Sequence, residues 1–86
     1  MVKDMERITV SVRIPALGGS YEFLTPDSMA VKNVKKLMIR ILSSEFNVHP
    51  SGDYAVLIDL RDHRQLLEEL SFRQQGIEDG AELLLL

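Results

Sequence analysis

Cysteine is absent from this chain, and so is tryptophan. Without cysteine there are no disulfides and no thiolate metal centres. Without tryptophan, and with only Tyr21, Tyr54, Phe23, Phe46 and Phe72 as aromatics, the core falls to aliphatic side chains. At 86 residues the chain has room for a single core, and lacking covalent staples it depends on how well that core packs. Positive charge is also scarce. A net charge of −3 argues against general affinity for nucleic acid, which needs concentrated basic charge. No apolar run approaches the roughly 20 residues of a membrane helix, and the opening "MVKDMERITV" is charged where a secretory signal carries its apolar stretch. The expectation is one cytoplasmic domain over residues 1–86, with 1–7 as a partly ordered extension, that neither inserts into a membrane nor binds nucleic acid.

Catalytic and cofactor patterns are missing too. His49 and His63 are the two histidines, and neither has a partner at metal-ligand spacing. Asp59, Asp62 and His63 crowd one turn, but three ligands within five residues of a tight turn rarely converge on one ion, so a solvated polar loop is the expected reading. "LGGS" follows a strand and leads into another strand, so no helix N-terminus is offered to a phosphate. No nucleophile is paired with a base. Neither enzyme activity, cofactor nor metal is expected.

The residues that are present form regular patterns. "ITVSVRI" alternates Ile8, Val10, Val12 and Ile14 against Thr9, Ser11 and Arg13, a half-buried strand. "PALGGS" is a turn, and "YEFLT" places Tyr21, Phe23 and Thr25 on one face of a second strand. In "TPDSMAVKNVKKLMIRILSSEF", Asp27 or Ser28 can cap a helix whose buried stripe runs Val31, Val34, Met38, Ile41 and Leu42. Leu37 and Ile39 widen the stripe, and the helix should fade at residues 45–47. "YAVLIDL" reads as a third strand. If Asp59 faces water, Tyr54, Val56 and Ile58 face inward and Ala55 and Leu57 outward. Residues 65–67 are a short strand or a brief helix, and "AELLLL" is a last strand after an "EDG" turn.

This order of elements resembles the ubiquitin-like β-grasp, an α+β fold in which a mixed sheet of four to five strands packs on one helix. "VKNVKKLM" is similar to the start of the ubiquitin helix, with Val31, Asn33, Val34 and Lys35 in matching places. "GIEDGAELLL", together with Tyr21, Phe23 and "AVKNV", resembles the small bacterial ubiquitin-like proteins of WXG100 (type VII) secretion loci, the YukD-like family. Ala30 stands where that family has proline, and Ala81 where it has aspartate. The resemblance covers residues 8–86 and implies a non-catalytic protein-interaction module, accessory to or regulatory of such a secretion system, with a secretion component as partner. Two other classes stay open: a ubiquitin-type modifier or sulfur carrier lacking its Gly-Gly tail, and a self-associating module that pairs with a second copy.

The final leucines carry the candidate site. In a β-grasp the last strand lies centrally, so Leu83 and Leu85 should join Val10 and Val12 in the core while Leu84 and Leu86 face outward. By the parity above Leu57 shares their face, and Leu17 matches the rim of the ubiquitin recognition patch. Exposed Leu17, Leu57, Leu84 and Leu86 would then mark a surface for a protein partner or a second copy. Lys32, Lys36 and Arg40 form a second candidate, a basic helix face that also reads as an ordinary wet surface. Conjugation is not expected. Activating enzymes thread a glycine-ended tail through a narrow channel that residues with side chains do not fit, so incubation with such an enzyme and ATP should give no adenylate on Leu86, as read by mass spectrometry.

Overall fold

The computed structural model describes residues 7–46 and 56–86. The expectations for residues 1–6, Asn47, His49, Tyr54 and Ala55 lie outside them. Strand β1 spans Arg7–Ile14, β2 Gly19–Pro26, helix α1 Val31–Phe46, β3 Leu57–Asp59, β4 Arg64–Gln65 and β5 Ala81–Leu85, with one 3₁₀ turn at Arg73–Gln75. Arg7, expected in the N-terminal extension, is the first residue of β1.

The sheet order is β2-β1-β5-β3-β4. β5 runs parallel to β1, with Val12 beside Leu83, and antiparallel to β3, with Ile58 beside Leu84. β1–β2 and β3–β4 are antiparallel. The strict alternation in "ITVSVRI" explains β1: Ile8, Val10, Val12 and Ile14 are all buried. They join Val31, Val34, Met38 and Leu42 of the helix and Leu83 and Leu85 of β5 in one cluster. The fold is a ubiquitin-like β-grasp, one helix packed on a mixed five-stranded sheet.

The helix stripe needs one correction. Leu42 is buried, but Ile41 is 47% exposed. Val31, Val34, Met38 and Leu42 advance by three or four residues and stay on one line, whereas Ile41 falls to its side. Ile39, one of the two flanking residues, packs partly against the core, and Leu37 is exposed.

The helix start is corrected as well. Neither Asp27 nor Ser28 caps it, because α1 begins at Val31 and the residue before it, Ala30, has no side-chain acceptor. The first amides donate instead to backbone carbonyls of a distant loop: Val31 N–H to Leu70 O at 2.9 Å and Lys32 N–H to Glu68 O at 3.1 Å. Asp27 is used elsewhere. Its carboxylate accepts two bonds from the Arg73 guanidinium, at 2.8 and 3.1 Å, a forked charge-assisted pair.

The loop that caps the helix is itself held by Gln75, whose side chain is buried. Gln75 Oε1 accepts the Leu67 N–H at 2.7 Å and Nε2 donates to Leu67 O at 2.9 Å. One side-chain amide thus pairs with the loop as a strand would. Chemical denaturation should separate the two helix positions: Met38→Ala is expected to cost about 2–5 kcal/mol through the cavity it leaves, and Ile41→Ala less than about 0.5 kcal/mol.

Candidate functional site

Which leucines face outward depends on how β5 is aligned with its neighbours. Leu83 is fully buried and Leu85 nearly so, and alternation then turns Leu84 and Leu86 to the opposite face. Leu84 is half-buried there, between Arg13 of β1 and Ile58 of β3. Leu86 is 58% exposed. Its backbone exchanges both hydrogen bonds with Val56, at 3.1 and 3.0 Å, so Val56 and Leu86 share this face.

Leu57 does not belong to this surface. It is 1% exposed and lies in the core, so the expected parity of the third strand is reversed: Leu57 and Asp59 point in, and Val56 and Ile58, which are half-buried, point out. The reason is Asp59, which the sequence reading assigned to water. Its side chain is buried because it builds the β3–β4 turn. One carboxylate oxygen accepts the Arg61 N–H at 3.1 Å, and the other lies 3.8 Å from the Arg64 guanidinium across the hairpin. His63 closes that turn in the left-handed region, at φ 54°.

Val56 and Ile58 therefore take the place of Leu57. The observed outer-face patch is Val56, Ile58, Leu84 and Leu86, with the cation of Arg13 beside it. The signal for them was present in "DLRDHR": an aspartate two residues before a backbone amide it can accept often serves as a turn builder. Leu17 is half-buried in the β1–β2 turn, where its N–H donates to Ile14 O at 3.0 Å. It packs partly against the core, at the end of the sheet where the parallel strands β1 and β5 both finish.

Of the four cations on α1, Lys32, Lys35, Lys36 and Arg40, not all contribute to the basic helix face. Lys35 is buried and pairs with Glu68, and Lys32 lies 3.6 Å from Glu69. Lys36 and Arg40 are exposed, and no ion pair joins either among the described residues. The turn cluster does not assemble: Asp59 is buried whereas Asp62 and His63 are exposed. Among the described residues no group of three or more histidines and carboxylates could hold a metal ion. A cleft of about 430 Å³ opens between the end of β3 and residues 76–82. Its Asp79 carboxylate accepts the Thr9 N–H at 2.7 Å and so ties the last turn to β1.

No family model matches the sequence, and no curated protein is significantly similar to it. Solved structures do match. The N-terminal ubiquitin-like domain of the 4931431F19Rik protein superposes with a TM-score of 0.74 at 24% identity, over 100% of this chain and 79% of that one. The ubiquitin-like domain of Arabidopsis thaliana At2g32350 gives 0.75 at 14% identity, over 99% and 81%. The EccD5 ubiquitin-like domain of Mycobacterium xenopi gives 0.74 at 16% identity, over 94% and 93%. At these identities the likeness is one of fold. The reversed parity is open to direct measurement: Leu57→Ala should cost about 2–5 kcal/mol in a denaturation experiment, whereas Leu86→Ser should stay within about 0.5 kcal/mol of the parent.

Proposed function

We propose that this ubiquitin-like domain is a non-catalytic protein-interaction module, accessory to or regulatory of a bacterial type VII (WXG100) secretion system, and that it acts without being conjugated to its targets. The observation that carries the reading is the outer sheet face, where Leu84, Leu86, Val56 and Ile58 lie together and partly open to solvent. Each such side chain forgoes part of the roughly 1.5–3 kcal/mol that full burial would return, and a partner that covers the face recovers it. Contiguity distinguishes this patch from single exposed leucines, which are ordinary on any surface.

The secretion assignment draws on two supports. One is the resemblance of "AVKNV" and "GIEDGAELLL" to the YukD-like pattern. The other is the fold likeness to the EccD5 ubiquitin-like domain, over nearly all of both chains. The partner is a protein component of that system, and Arg13 at the patch favours one that brings a carboxylate beside its apolar contact.

The test is a titration of purified type VII components from the same locus, a WXG100 substrate and the FtsK-type ATPase, against the chain and its variants. The double change L84S/L86S should leave the fold intact by circular dichroism and weaken binding at least about tenfold, since two apolar contacts of about 1 kcal/mol each are lost. K36E/R40E should bind as the parent does. The opposite pattern would move the docking surface to the helix, and binding by neither variant nor parent would remove the secretion assignment.

A further inference from the structure

Helix α1 turns one face away from the sheet, and two rows of side chains run along it at one-turn spacing. Leu37 and Ile41, 37% and 47% exposed, form an apolar row. Lys36 and Arg40, also exposed, form a basic row beside it. The charges of the helix are answered unevenly. Glu68 pairs with Lys35, and Glu69 lies 3.6 Å from Lys32. Among the described residues no ion pair reaches Lys36 or Arg40. Set four residues apart, these two cations repel each other and weaken the helix that carries them. The single carboxylate of α1, Glu45, stands one turn beyond Ile41, past the end of both rows.

A second helix carries its side chains in rows of the same spacing, and the rows of one helix seat between those of another. We propose that the outer face of α1 docks an amphipathic helix of another protein, whose apolar row covers Leu37 and Ile41 and whose flanking aspartates or glutamates meet Lys36 and Arg40. The charges select this occupant. An acidic row sets two attractions across the interface against the repulsion within α1. A second copy fits less well, because α1 against α1 brings Lys36 and Arg40 of each chain, four cations, to the Glu45 of each, two carboxylates. An anionic bilayer fits less well too, since two cations would have to hold a chain of net charge −3. The face lies on the far side of the helix from the sheet, apart from the Leu84–Leu86 patch, so the inference stands independently of the secretion assignment.

The experiment titrates the isotope-labelled chain with two synthetic helical peptides that share one row of leucines, one flanked by glutamates and the other by lysines. Vesicles of anionic phospholipid form a third arm. The glutamate peptide should shift the amide resonances of Lys36, Leu37, Arg40 and Ile41. It should bind about tenfold more tightly than the lysine peptide, and high salt should erase that advantage. K36E/R40E should reverse the preference. Lys36→Glu alone places a glutamate four residues before Arg40, the stabilising order. K36E should therefore keep or raise the Tm while it weakens the glutamate peptide, which separates docking from folding. L37S/I41S, at two exposed positions, should keep the fold and weaken both peptides. No binding of either peptide, equal binding of the two, or shifts centred on Leu84 and Leu86 with α1 unchanged would each overturn the proposal. So would α1 shifts that follow protein concentration without peptide, which would make a second copy the occupant, or α1 shifts with vesicles but neither peptide, which would make it a bilayer.

Discussion

β5 lies between β1 and β3, and most of the molecule follows from that placement. A strand with a neighbour on each side satisfies its backbone groups in both directions, and its inward side chains reach the middle of the core. Leu83 and Leu85 are both buried for this reason. The turn before β5 is tied to β1 by two short bonds: the Thr9 N–H donates to the Asp79 carboxylate, and the Gly80 N–H donates to Thr9 O, each at 2.7 Å. Gly80 sits there at φ 87°, a conformation that a side chain would strain. With β5 aligned in this way, Leu84 and Leu86 have only the opposite face available, so the apolar outer surface is a direct result of how the core is filled.

A second constraint comes from the segment between β4 and β5. Residues 66–77 contain little regular structure, yet Leu66, Phe72 and Ile77 are buried. The segment is held by Gln75 and by the Asp27–Arg73 pair, and in turn its carbonyls supply the acceptors that the first turn of α1 lacks. Glu68 and Glu69 lie near Lys35 and Lys32, so the same loop also offsets the positive charge of the helix. Helix and loop therefore depend on one another: the helix lacks a side-chain cap, and the loop lacks a strand partner.

The outer face is a patch left over from strand alternation in the middle of the sheet, where the backbone is fully paired and only side chains can make contact. A partner there would be recognised by shape and apolar area.

Some of this was legible in the order of residues alone. Alternation in "ITVSVRI" and three-to-four spacing in α1 named most of the core, because both patterns arise within one element and need no knowledge of its neighbours. The leucines of "AELLLL" were assigned correctly once the strand was placed centrally. Three matters were settled only by the tertiary structure. Ile41 reads as core on its own helix, but the sheet covers the line through Met38 and Leu42. Asp27 and Ser28 read as caps, but Ala30 takes the cap position and the acceptors come from nearly 40 residues further along. Leu57 read as exposed because Asp59 is polar. A period of two leaves either face available as the core, and the choice was made by a hairpin in which one Asp59 oxygen accepts the Arg61 N–H and the other, without a hydrogen bond, lies 3.8 Å from the Arg64 guanidinium. Local periodicity is a property of the chain, whereas the side that becomes interior depends on which partners a buried polar group finds after folding.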